Sequence, residues 1–470
     1  MMRSAKLVLA FILALVSYTS YSQEAIIYGN APDYKGDEIV FYYYSDFITS
    51  TETEVGRCKV DEKGNFNARI KILETTYVFG YLGIYKIYFF AEPNKKYQLL
   101  LPPKEDKTEA QRLNPFFRET ETQVGILNID KSDINFLINS FDLKFNENFD
   151  QIVMDAYKGK KSLNIDSLVN SIENQYKNTN NQYFNDYRNY RYGLLKQVTF
   201  YKKSTSISNE LFLNKPVLYN NPSYMELFNL VYDKYFLFFS RSLTGNVIFK
   251  DISNRSLSGL KETLSDNEVL SNDTLKEMVI LKALYDEFFS DNFSRSSLLA
   301  LLDSMYLTTK NAEHLLIAEN IRSKITKLLP GFVPNTFTLK DINGTEINLD
   351  KFEGKYVYLN FCTTTSYTCL QEFPLLDKLK NKYGKHLEIV SISADKEIND
   401  LKSFLQNSGY TWTFLHYGNK PDIIKDFDIR AYPTYFLIGP DKKLILSPAP
   451  SPKENFEMKF FQILRNKGLI

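Results

Sequence analysis

Cysteine is scarce, with Cys58, Cys362 and Cys369 the only ones in 470 residues. Three thiols cannot all pair, so the chain is not a disulfide scaffold. Histidine is equally rare. His314, His386 and His416 are widely separated, and no Cys/His spacing suits zinc, so no metal is expected. Excess charge of either sign is missing too: 57 Lys plus Arg against 56 Asp plus Glu leave +1, with the basic residues scattered. That excludes a partner held by bulk electrostatics, such as nucleic acid or an anionic membrane surface. No Gly-rich phosphate loop or paired-carboxylate motif occurs, so no cofactor is expected. A fixed repeat period is also lacking, which argues against a helical-repeat solenoid.

Apolar material is plentiful: 44% of the residues are hydrophobic, including 33 Tyr and 36 Phe, enough for several cores. These aromatics read as core and strand-face residues in preference to a carbohydrate-binding surface. The length suggests about three domains. Residues 1–22 read as a secretory signal: Arg3 and Lys6 are basic, Leu7 to Val16 are apolar, and Ser20-Tyr-Ser22 precedes a cleavage point at Gln23. The apolar run is short for a membrane span, no second run reaches spanning length, and no cysteine follows for lipid attachment. The expected product is exported and soluble.

Residues 23–115 show β signals. Strand-like runs occur at 25–28, 38–44, 53–60, 65–72, 77–90 and 96–101, separated by turn chemistry at 33–36, 61–64 and 92–94, which predicts an antiparallel β-sandwich. Residues 125–329 carry helical periodicity, with faces such as Ile165, Leu168, Val169, Ile172 and Tyr176, predicting an all-α middle domain. Thr274 and Glu277 have capping-box spacing ahead of another helix. Pro330-Gly-Phe-Val-Pro334 is a punctuated linker, and 330–470 form the last domain, of α/β type.

The chemistry concentrates in that last domain. Tyr356 to Phe361 is a short apolar strand, Cys362-Thr-Thr-Thr-Ser366 a small polar loop, and from Cys369 the apolar positions Phe373, Leu376, Leu379 and Tyr383 recur at helical spacing. The loop therefore sits at a helix N-terminus, where unpaired amides and the helix dipole favour a thiolate. Ser366 suits the N-cap, accepting from an amide in the first turn, and no histidine or nucleophile elbow marks it as a catalytic serine. Cys369 is open to two readings, an inert buried thiol or a reactive one. A strand end and the next helix's first turn also leave a Cys362–Cys369 disulfide open.

This segment resembles the active-site strand and helix of the thioredoxin superfamily, particularly the TlpA/ResA branch of thiol–disulfide oxidoreductases. Gly354-Lys355, Asn360-Phe361, Cys369 and Pro374 fall on that branch's pattern, and Tyr432-Pro433-Thr434 matches its cis-proline loop. The resemblance covers about 140 residues. Two positions depart from it: Cys362 stands where the branch has tryptophan, and Ser366 where it has the attacking cysteine. The resemblance implies a thioredoxin-like fold, a periplasmic location and a cis peptide before Pro433. The strand spacing at 23–115 and the turn Asp61 to Phe66 resemble the small β domain preceding thioredoxin-like domains in Bacteroidetes proteins, implying an envelope accessory module.

A serine hydroxyl cannot enter thiol–disulfide exchange, so the dithiol cycle is expected to be lost. The cis-proline loop still implies recognition of an extended peptide or protein partner in the envelope, at Tyr367, Tyr432, Pro433 and Thr434. One alternative is a thiol enzyme using Cys369, perhaps with Cys362, in monothiol exchange or in peroxide reduction resembling peroxiredoxins. For the latter an upstream proline is missing and Arg430 is out of register. Another is a structural scaffold. The sequence carries no indication of oligomeric state.

Overall fold

Alternation of apolar and polar residues builds the N-terminal sheets. The computed structural model describes residues 23–470 except 115, 160–164, 200 and 243–244, so the expected signal segment 1–22 lies outside the described residues. The first strands are β1 (Glu24–Asn30), β2 (Glu38–Asp46), β3 (Thr51–Lys59), β4 (Asn65–Lys71), β5 (Thr76–Leu82), β6 (Tyr85–Ala91), β7 (Lys96–Leu100), β8 (Thr120–Gln123) and β9 (Gly125–Ile126). They form a four-stranded sheet ordered β4-β1-β7-β9 and a five-stranded sheet ordered β3-β2-β5-β6-β8. Ala25 and Ile27, Phe66, Ala68 and Ile70 from the first sheet share one core with Ile39, Phe41, Ile87 and Phe89 from the second. Cys58 is buried in that core.

The structure alters three expectations here. The run 77–90 is two strands, because Gly83 takes a positive φ of 57° and turns the chain into a β5–β6 hairpin pairing Leu82 with Tyr85. Pairing is antiparallel except for β1 with β7 and β6 with β8, which are parallel. The short strands β8 and β9 lie beyond residue 115 and were too brief to read from sequence.

The pleat gives β6 two faces. Ile87 and Phe89 point into the core shared by the sheets, whereas Phe90 and Tyr88 pack with Ile134, Ile138, Phe141 and Phe145 of the helix Ile134–Tyr157 and with Phe184 and Tyr187 of the helix Gln182–Val198. Asn135 fixes the junction, its side chain accepting from the Phe90 amide at 2.7 Å and donating to the Phe90 carbonyl at 2.8 Å. The middle of the chain is helical throughout its regular elements, from Ile134 to Thr326. The helix Asp273–Glu287 is capped by Asn272, whose Oδ1 accepts from the Thr274 and Leu275 amides, so Thr274 is not the cap. Glu277 instead binds Lys261 and His314.

Grouping by proximity gives two compact units. One holds Met1–Glu105, Glu119–Asp233 and Asn267–Leu275; the other holds Asp106–Arg118, Lys234–Asp266 and Lys276–Ile470. The helices of the middle segment divide between them.

The second unit contains a seven-stranded sheet: β10 (Thr338–Asp341), β11 (Glu346–Asn348), β12 (Tyr356–Cys362), β13 (Leu387–Ser393), β14 (Thr413–His416), β15 (Thr434–Ile438) and β16 (Leu444–Ala449), ordered β11-β10-β14-β13-β12-β15-β16. Every residue of β12 is buried, as suits a strand covered on both faces. It runs parallel to β13 and antiparallel to β15. One face packs Val357, Leu359 and Phe361 with Phe427 and Phe436. The other packs Tyr356, Tyr358 and Cys362 with the helices Tyr367–Tyr383 and Phe456–Asn466. No helix among the described residues is long and apolar enough to cross a membrane.

Candidate functional site

The site forms where β12 ends. Cys362 closes the strand opposite Ser393, the chain turns through Thr363 to Thr365, and the helix Tyr367–Tyr383 begins. Asp395, just past β13, holds this turn: its carboxylate accepts from the Thr364 amide at 2.9 and 3.1 Å and from the Ser393 hydroxyl at 2.6 Å. His416 donates from Nε2 to the Asp395 carbonyl at 2.7 Å and accepts the Gly418 amide at Nδ1. The loop is thus tied to the C-terminal ends of two neighbouring parallel strands, the usual place for a site in such a sheet.

Ser366 is the N-cap. Its Oγ accepts from the Cys369 amide at 3.4 Å and donates to the Tyr432 carbonyl at 3.3 Å, which joins the helix start to the loop before β15. The Tyr432–Pro433 peptide is cis. Thr434 donates to the Ala431 carbonyl at 2.7 Å. Tyr367 is 73% exposed beside the cap, and the Tyr432 ring is half-buried.

Both nearby thiols are buried and free, each 1% exposed in one apolar cluster. Burial raises the Cys369 thiol above its ordinary pKa, against the lowering effect of the Ser366 hydroxyl and the Thr363 backbone; Glu372 and Asp395 raise it further. None of these groups is a cation. Cys362 is pushed well above its ordinary value by burial, then by Cys369 and Asp395. Arg430 does not reach the thiols: it is exposed and paired with Asp428 at 2.9 Å.

Two site residues escaped the sequence reading. Glu372 lies three residues after Cys369, is 3% exposed, and accepts from the Tyr435 hydroxyl at 2.6 Å. Its spacing from Cys369 on one helix face was the available signal, but that spacing alone does not distinguish a buried carboxylate from a surface one. Asp395 follows a strand end, and only the sheet's parallel order brings it to the loop. Among the described residues, no group of three His, Cys, Asp or Glu side chains is placed to hold a metal ion.

A groove of about 990 Å³ opens beside the cis-proline loop. Arg430, Pro433 and Thr434 line one side, and Tyr285, Phe289 and Lys327 line another. Tyr367 and Tyr432 lie outside its lining. Of the predicted site residues, Pro433 and Thr434 thus line the groove, whereas Cys362 and Cys369 lie in a buried apolar cluster.

Residues 332–447 match the family model described as AhpC/TSA family. Over 125 residues the chain is 34% identical to the thiol-disulfide oxidoreductase ResA of Bacillus cereus, covering 26% of this chain and 71% of that protein. The chain belongs to the ResA-like branch of the thioredoxin superfamily. Similarity also extends to the thioredoxin-like protein YneN of Bacillus subtilis, 32% identical over 105 residues, 22% of this chain and 61% of that relative. A solved structure, that of a putative thiol-disulfide oxidoreductase from Bacteroides vulgatus, covers 29% of this chain and 98% of its own at 27% identity, with a TM-score of 0.28. All three likenesses cover under a third of the chain. The matched residues 332–447 take in the strand β12, the helix Tyr367–Tyr383 and the loop at Pro433.

Proposed function

We propose that this protein is an exported, redox-impaired relative of the ResA-like oxidoreductases that binds an extended peptide or protein partner beside Pro433. The observation that carries the reading is the N-cap. In a dithiol enzyme the helix start presents an exposed thiolate that attacks the substrate disulfide. Here that place holds the Ser366 hydroxyl, and the only thiol on the helix is Cys369, buried with its proton held by desolvation. A hydroxyl does not ionise near neutrality, and its oxygen cannot form the sulfur–sulfur bond of a mixed disulfide, so no exchange begins at Ser366. Peptide capture does not need the thiol. The groove along Pro433 and Thr434, with Arg430 and Lys327 at its edge, supports main-chain recognition of an extended segment. We read the two N-terminal sheets as a sandwich acting as an accessory module.

The thiol-enzyme alternative is less supported, because neither monothiol exchange nor peroxide reduction proceeds well from a thiol without exposure or a cationic neighbour. A purely structural scaffold would leave the groove without an occupant.

The test pairs two measurements on the mature protein. In a dithiothreitol-driven insulin reduction assay, no acceleration over buffer is expected. Carboxymethylated insulin B chain, an extended peptide without free thiols, should bind, and Pro433→Ala should weaken that binding while the fold persists. Turnover that disappears in Cys369→Ser would overturn the proposal in favour of the thiol enzyme. Absence of peptide binding would favour the scaffold.

A further inference from the structure

A second cavity lies far along the sequence from the thiols, wholly within the first compact unit. It measures about 520 Å³, within the range of small-molecule sites. Its floor is the outer face of the five-stranded sheet and its rim is formed by the helices Ile134–Tyr157 and Gln182–Val198. Rings line one side: Tyr44, Tyr77 and Tyr88, with Tyr77 stacked on Tyr88 at 5.2 Å between centroids and 28° between planes. Lys86 and Glu121 stand among these rings, and the charged groups Asp142, Arg191 and Glu226 add to the lining.

The charges are already matched, which limits what the cavity accepts. The Lys86 ammonium binds Glu121 at 2.9 Å and the Tyr44 hydroxyl at 3.0 Å, and it sits 4.6 Å over the Phe79 ring and 5.6 Å over that of Tyr77. A cationic ligand would therefore meet ring faces that a cation already occupies. Arg191 is bound to Glu226 at 3.3 Å and to Asn146 at 3.1 Å, and three carboxylates face two cations, so an anion gains little.

Two polar atoms remain without a partner. Asp142 Oδ1 and Arg191 Nε are both buried and unbonded, and they stand 3.8 Å apart, beyond hydrogen-bond distance of each other. One is an acceptor and the other a donor. A single hydroxyl satisfies both, donating to the carboxylate and accepting from the guanidinium N–H. The other Asp142 oxygen is held by the Tyr187 hydroxyl at 2.8 Å, so the carboxylate is fixed in direction. Burial raises the pKa of Asp142, against the opposing effects of Arg191 and Tyr187, which marks this carboxylate as costly to keep unless a ligand uses it.

We infer that this cavity binds a neutral, hydroxyl-rich ligand of the saccharide class, packed against the Tyr88 ring with one hydroxyl bridging Asp142 and Arg191. The apolar C–H face of a sugar ring suits the electron-rich face of tyrosine, and its hydroxyls suit the paired acceptor and donor. This function is separate from the thiol pocket and does not depend on the reading given for it.

The experiment is a calorimetric titration of the full-length mature protein with maltose, cellobiose and N,N′-diacetylchitobiose at millimolar concentration. Tripeptides centred on tryptophan or arginine serve as the competing class. At least one saccharide should bind, and Asp142→Asn should lower its affinity about tenfold, as loss of a charged hydrogen bond would. Tyr88→Leu, which keeps apolar bulk and removes the ring, gives an independent reading if the first variant folds poorly. A thermal melt of each variant checks the fold. Binding of a tripeptide and no sugar, binding of nothing, or a sugar affinity unchanged in both folded variants would each overturn the inference.

Discussion

Alkylation of Cys369 as a function of pH is the most direct measure of whether the helix start is poised for thiol chemistry. Cys369 is 1% exposed, and burial is the largest influence on its thiol, raising the pKa. At pH 7 a thiol at the free-cysteine value of ~8.5 is roughly 3% thiolate. A thiol activated at a helix N-terminus, with a pKa near ~7, is about half thiolate. Cys369 should therefore react at least ~15-fold more slowly than such an activated thiol from ionisation alone, and burial adds the cost of local opening. The assay is iodoacetamide labelling followed by mass spectrometry of the Cys369 peptide from pH 6 to 10, in the intact protein and in Cys362→Ser. The rate should climb steadily with pH beyond ~8.5 and jump only on denaturation. Rapid labelling with a midpoint well below that value would refute the argument that burial governs this thiol.

Ser366→Cys places a second thiol at the N-cap, within the same first turn as Cys369, and should create disulfide-reductase turnover in the insulin assay; continued inactivity would mean that burial of Cys369 blocks the cycle independently of Ser366. Tyr435→Phe leaves the buried Glu372 carboxylate without its 2.6 Å donor and should destabilise the domain by about 1–3 kcal/mol in urea unfolding, whereas no loss would contradict a stabilising role for this hydrogen bond. The pH dependence has a definite sign. The folded pKa values of Cys362 and Cys369 lie above their unfolded values, so their stabilising contribution is complete below about 8.5 and is lost as pH rises above it. Urea midpoints should thus fall less steeply between pH 8 and 10 in the Cys362→Ser/Cys369→Ser double variant than in the parent, and parallel slopes would contradict the burial of these thiols.

Local chemistry was readable wherever a short pattern sufficed. The apolar run of β12, the N-cap at Ser366 and the helix face of Phe373, Leu376, Leu379 and Tyr383 follow from residues adjacent in the chain, because strand burial, capping and amphipathic spacing are decided within a few residues. Boundaries were less secure: Thr274 has the spacing of a capping box, yet Asn272 lies two residues earlier and takes the role. The long run 77–90 held only Gly80, Gly83 and Lys86 between its apolar residues, so the hairpin at Gly83 needed the backbone to reveal it.

By itself, the sequence determined that the chain contains a ResA-like segment, that Ser366 and Cys369 stand at the start of its helix, and that basic and acidic residues nearly balance. Tertiary structure decided what those residues meet. Whether Cys369 faces water or core depends on how the helix rotates against β12, and the packing of Phe373, Leu376 and Tyr435 turns it inward. Asp395 reaches the loop only through the parallel pairing of β12 with β13, and Asp142 meets Arg191 only because two helices pack on one face of a sheet. Such encounters are set by long-range register and side-chain volume, which no local pattern encodes.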